Sequence, residues 1–203
     1  MNGKVTSSVS MARVISRFTN PCMLSVLLLL SIAYAESSNM RALIGWGTTV
    51  LLFLVVLPLF YVYMRTSIGK SGIKRQADPT IFLRQHPRDI FILGILCGVP
   101  CLVVLVFLEA PPLLLCTIAA LLVSGVAVAL LNMFYRVSYH LTAFTVLVIM
   151  VAMTWSQILF LLFAAIPLIS WAKYQLHEHS PAQMAIGVAL SAAVTVTTLY
   201  FVG

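Results

Sequence analysis

The chain is 203 residues long, 62% hydrophobic and only 8% charged. Soluble domains carry about 25% charged residues, so this chain has too little polar surface to coat a water-soluble globule. Its net charge of +7 does not point to nucleic acid, because the basic residues sit in short stretches between apolar runs, where positive charge sets membrane topology.

Residues 1–21 read as a polar, basic leader with Lys4, Arg13 and Arg17. An apolar run follows from Pro21 to Ala35 and closes with Ala33-Tyr34-Ala35 before Glu36-Ser37-Ser38. A basic start, an apolar middle and an A-x-A end also describe a signal peptide. A short first membrane helix is the preferred reading, because the leader is long and further spans follow. The second run covers Ala42–Met64, and the only long polar loop, Arg65–Asp89, comes after it. The third run, Ile90–Leu108, ends at Glu109-Ala110-Pro111-Pro112, a sharp turn because two prolines cannot continue a helix. The fourth run is Leu113–Phe134, followed by the short polar turn Tyr135–His140. The fifth and sixth runs, Leu141–Trp155 and Ile158–Trp171, form a tight hairpin around Ser156-Gln157. The polar stretch Ala172–Ser180 precedes the seventh run, Pro181–Val202.

The expected fold is therefore an all-α, polytopic transmembrane bundle of six to seven spans in one domain, residues 1–203. Seven spans put the N-terminus and the loops at 65–89, 135–140 and 172–180 on one face. All of the 12 basic residues except Arg41 then share that face. The positive-inside rule makes it cytoplasmic, with the cell membrane as the expected location. The four cysteines, Cys22, Cys97, Cys101 and Cys116, lie in or beside apolar runs. They lack C-x-x-C spacing and read as small packing residues.

All four histidines fall on the basic face, and ionisable groups at a membrane boundary often mark function. Three groups stand out. In Arg136-Val137-Ser138-Tyr139-His140, Ser138 is placed to cap the fifth helix, and a cap plus an interfacial histidine is a sufficient structural account. In Lys173–Gln183, Ser180, Pro181 and Gln183 form an S-x-x-Q capping box. His179 precedes that helix start, where free N–H groups attract an anion. The third group is Lys74-Arg75 with Arg84-Gln85-His86-Pro87-Arg88-Asp89, which suits either a substrate phosphate or anionic lipid heads.

Together these groups resemble the type 2 phosphatidic acid phosphatase superfamily, which includes the vanadium haloperoxidases. Ser138-Tyr139-His140 is similar to the S-G-H of its second motif. Lys173, His179 and Gln183 match the spacing of S-R-x5-H-x3-D, with Lys for Arg and Gln for Asp. The tail Gln183–Gly187 resembles the small-residue helix after that motif. Arg88, with Arg84 or Lys74, stands in for the first motif without its usual spacing. The resemblance covers residues 74–190 and implies a phosphatase-like core there.

It also implies His179 as nucleophile and His140 as general acid, with Lys173, Arg88, Ser138 and Arg84 holding phosphate and Gln183 in support. Neither metal nor other cofactor is implied. The implied partners are a lipid phosphate or isoprenoid (di)phosphate substrate and membrane lipids, with a homo-oligomer allowed and no nucleic acid. The departures weaken the expectation of a fast enzyme. In a serine-protease triad, replacing the aspartate by its amide lowers turnover by about 10⁴. The alternative is a catalytically silent relative that binds phospholipid head groups or a membrane partner. A transporter is disfavoured, since no span carries a mid-membrane acid and no inverted repeat is evident. A metal site from His140, His177 and His179 lacks a supporting carboxylate cluster.

Overall fold

The computed structural model describes residues 2–68 and 87–202. Every regular element among them is helical. Helix α1 is Asn2–Phe18 and α2 is Pro21–Glu36. Helices α3 (Met40–Leu51) and α4 (Leu57–Ile68) are joined by a π turn, Leu52–Val56. Helices α5 (Pro87–Leu93) and α6 (Val99–Phe107) are joined by another, Gly94–Gly98. Then come α7 (Pro112–Leu131), α8 (Tyr139–Thr154), a 3₁₀ segment (Gln157–Ala164), α9 (Ala165–Gln175) and α10 (Pro181–Val202).

Among the described residues, four helices are long and apolar enough to cross a membrane: Met40–Arg65, Pro112–Leu131, Gln157–Gln175 and Pro181–Phe201. Three apolar helices are shorter, at Met23–Glu36, Phe91–Phe107 and Tyr139–Thr154. The outer surface is studded with large apolar side chains, Leu27, Phe60, Val106 and Leu161 among them. An apolar exterior of this extent is compatible with an integral membrane protein.

Helix boundaries follow from local chemistry. Asn39 caps α3 by accepting from Ala42 N at 2.8 Å. The π turns each sit just ahead of a proline, Pro58 or Pro100. A proline has no N–H to give and collides with the carbonyl four residues back, so a locally widened turn relieves the conflict. The expected turn at Glu109 is a Schellman cap: Ala110 N bonds Leu105 O and Glu109 N bonds Val106 O, with Glu109 at φ 50°. Trp46 Nε1 covers the Leu108 carbonyl at 3.1 Å.

The stretch read as a polar leader is itself a helix. Helix α1 packs along α9, burying Ala12, while Met11, Arg13 and Phe18 face outward. Helix α2 supplies Leu28, Leu29, Ile32 and Ala33 to the main core, beside Val146 and Met150 of α8. Residues 21–36 thus form a helix with a buried face. Helix α8 is the centre of the bundle and touches α2, α7 and α10. Every residue from Leu141 to Val146 is buried, as expected for a helix that is hydrophobic all round. At 16 residues it is about 24 Å long, short of the ~30 Å hydrocarbon thickness. A second, smaller core of Leu141, Phe144, Ile169 and Met184 joins α8, α9 and α10.

Candidate functional site

The stretch Lys173–Gln183 is shaped by two caps set back to back. Helix α9 ends in a Schellman motif: Glu178 N bonds Lys173 O at 3.1 Å and His177 N bonds Tyr174 O at 2.9 Å. His177 occupies the left-handed position at φ 52°, a slot that favours glycine. Three residues later the capping box begins. Ser180 N donates to Gln183 Oε1 at 2.9 Å, and Gln183 N donates to Ser180 Oγ at 3.3 Å. His179 is held between the two caps, half-buried, with its Nδ1 shut off from solvent.

The left-handed turn at His177 folds the chain back on itself. Glu178 thereby reaches Lys173, with Oε2 2.9 Å from Nζ. The same ammonium donates to Ser16 Oγ of α1 at 2.7 Å. Lys173 is 1% exposed. The residue expected to hold phosphate is thus a buried ion pair joining α1, α9 and the loop before α10. Glu178 gives this carboxylate oxygen to lysine.

A His177→Gly substitution tests the left-handed assignment. Relief of the backbone strain is worth about 1 kcal/mol. The apparent unfolding temperature in detergent should rise by about 2–4 °C. A fall would mean that the imidazole makes a contact worth more than that strain.

The Arg136–His140 group meets the helix that follows the Lys173–Gln183 group through Gly187. A Cβ at Gly187 would stand 3.2 Å from Ser138 O, 3.2 Å from Thr142 Oγ1 and 3.3 Å from Val137 Cγ1. A side chain larger than a methyl group has no room where α10 comes this close to the start of α8. Thr142 Oγ1 lies 3.1 Å from Ser138 O and 3.4 Å from Gly187 O, so its hydroxyl bridges the two backbones. Ser138 precedes α8 as expected, but its side chain makes no capping bond. Its hydroxyl is fully buried, and among the described residues Oγ has no hydrogen-bond partner. Asn132 holds the approach to α8, its Oδ1 accepting from Val137 N. His140 is the second residue of α8 and is half-buried, while Arg136 is exposed.

Gly187 lies six residues after Pro181, which is about 9 Å along a helix. The start of α8 is therefore set back from the start of α10 by about that distance. The result is a step, with Ser138 and His140 on its lower tread and His179 above.

Of the third group, Lys74 and Arg84 lie outside the described residues. Arg88 is the second residue of α5, and its side chain also lies outside them. Its neighbour Asp89, which the sequence reading passed over, is buried. Asp89 Oδ1 accepts from Tyr61 OH at 3.3 Å and pairs with Arg65 Nη2 at 3.5 Å. The available signal was an acid in the first turn after Pro87, close to an arginine at the end of the preceding run. Among the described residues, no three His, Cys, Asp or Glu side chains are grouped to hold a metal ion. Comparison with family models, curated proteins and solved structures finds no match for this chain.

Proposed function

We propose that this protein is a metal-independent phosphatase-like membrane protein acting on a lipid phosphate or isoprenoid (di)phosphate. The observation that carries the reading is the approach of Gly187 to the Ser138 backbone. It brings the Ser138–His140 group and the His179 group to the same end of one helix pair, as a single site requires.

In the proposed reaction, a ring nitrogen of His179 attacks phosphorus and a P–N bond forms. The bond to the ester oxygen breaks, and His140 passes its proton to the departing alkoxide. Water then attacks the phosphohistidine and gives its proton to His140, releasing phosphate and free His179. Such chemistry depends mainly on positioning and charge stabilisation. The reading takes all seven apolar helices as spans in the cell membrane, with the basic face cytoplasmic.

A second reading is favoured by particular contacts. Gln183 Oε1 faces Ser180 N, and Lys173 is paired with Glu178. Two positions that would support histidine and phosphate in the family thus have structural work here. A silent relative that binds phospholipid heads fits those contacts.

The test is phosphate release by the purified protein in detergent with EDTA, from phosphatidate and from an isoprenyl diphosphate. Release that disappears in His179→Ala is the expected result. Release equal to that of His179→Ala from both lipids would reject the phosphatase and leave the binding protein.

A further inference from the structure

Helix α1 differs in kind from the helices behind it. Lys4, Arg13 and Arg17 make it too polar to run through hydrocarbon, yet packing does not use all of its apolar residues. Among the described elements, the one it packs on at length is α9. Ala12 is fully buried, while Met11, Val14 and Phe18 are 58%, 50% and 79% exposed. At 3.6 residues per turn these three positions fall within about 60° of arc, turned roughly 100–160° away from Ala12. Arg13 and Ser10, both exposed, fall between Ala12 and that strip. The helix therefore has three faces: one docked on α9, one apolar and open, and one polar with a cation between them.

Two neighbours fix the level of this helix. Ser16 Oγ accepts from Lys173 Nζ at 2.7 Å, and Lys173 stands two residues short of the end of the membrane-length segment Gln157–Gln175. Only Thr19 and Asn20 join α1 to the apolar α2. Both connections put the C-terminal half of α1 at the ends of apolar helices, where hydrocarbon gives way to head groups. Arg13 is about 4.5 Å along the axis from Ser16. An apolar strip beside a cation at this level is the pattern of a helix lying in the interface plane, its strip in the acyl boundary and its charge among the heads. The sign of the lipid follows from α1 itself. The first acidic residue of the chain is Glu36, so the side chains of residues 1–35 carry only positive charge. An anionic head group complements that charge, and a zwitterionic one gains less.

We infer that α1 is an interfacial anchor that recruits anionic lipid, with the Met11–Val14–Phe18 strip in the acyl boundary and Arg13 among the head groups. The inference makes no use of the phosphatase reading. It stands on the exposure, register and charge of one helix, and it is testable without turnover.

The full chain with Val14→Cys is labelled with a bimane fluorophore and reconstituted in vesicles of phosphatidylcholine and phosphatidylglycerol. The unsubstituted protein, treated in parallel, gives the background from the native cysteines. Brominated acyl chains on one lipid or the other quench from the hydrocarbon, and iodide quenches from water. At equal mole fraction, brominated phosphatidylglycerol should quench the label at 14 about five times as effectively as brominated phosphatidylcholine. Arg13→Gln, at an exposed position, should bring that ratio close to one, as should salt at about 1 M. A label at Ser10→Cys, on the polar face, should respond to iodide instead. Equal quenching by the two brominated lipids overturns the inference, and so does a preference that Arg13→Gln leaves untouched. Iodide quenching at 14 equal to that at 10 would place the strip in water and overturn it. A label at 14 shielded from both quenchers would mean that a second copy of the chain covers the strip, which overturns it as well.

Discussion

Glu178→Ala should destabilise the protein by about 3 kcal/mol and lower its apparent unfolding temperature in detergent by roughly 6–12 °C. The cause is the Lys173 ammonium, which is 1% exposed and loses the carboxylate 2.9 Å away. A buried charge deprived of its counter-ion retains its desolvation cost without the compensating attraction. The Ser16 hydroxyl remains at 2.7 Å but carries no charge. The two halves of the pair are not equivalent. Glu178 is 19% exposed at its side chain and can turn toward water. Lys173→Met should therefore cost much less than Glu178→Ala, because it removes the buried charge and fills the same space. Thermal unfolding of both single variants and the double variant checks this. Equal losses in the two single variants would show that the pair, rather than the stranded ammonium, sets the cost.

Gly187→Leu should cost about 2–3 kcal/mol. Even a Cβ at this position meets backbone and side chain at 3.2–3.3 Å, with no open direction among those contacts. Anything longer pushes α10 off the start of α8. Gly187→Ala is a sharper control. It asks the neighbours to move by a few tenths of an ångström, and that strain is offset by alanine's advantage of about 1 kcal/mol within a helix. Alanine should thus be close to neutral. If leucine were as mild as alanine, the close approach at Ser138 would not exist. In the phosphatase reading, leucine also abolishes phosphate release, since it separates Ser138 and His140 from the His179 loop.

Much of the architecture was legible because its signals are local. Asparagine before α3, paired prolines after Glu109, and serine with glutamine around Pro181 all act within four residues, and the chain obeys them. The apolar runs locate α2 through α10 for the same reason. Lys173 shows where local reading stops. Its motif spacing suggested a phosphate ligand, yet its surroundings depend on a left-handed histidine four residues later and on a serine in α1. Ser138 shows the converse. Its position before a helix suggested a cap, but α10 approaches so closely that the hydroxyl is enclosed instead. Helix α1 was read as a leader because polar and basic residues dominate it. Its single buried stripe around Ala12 matters only once α9 is present. The partners of Asp89 were not legible, because Tyr61 and Arg65 lie across a long loop in sequence.

The contact between Ser16 and Lys173 spans 157 positions of sequence. On a ribosome, α1 and α2 are made well before α8 and α9, whose surfaces receive them. Contacts this distant in sequence form slowly, since a long intervening chain must be ordered before they can be made. Until α9 is made, the Ala12 face of α1 has no partner helix in this bundle to lie on.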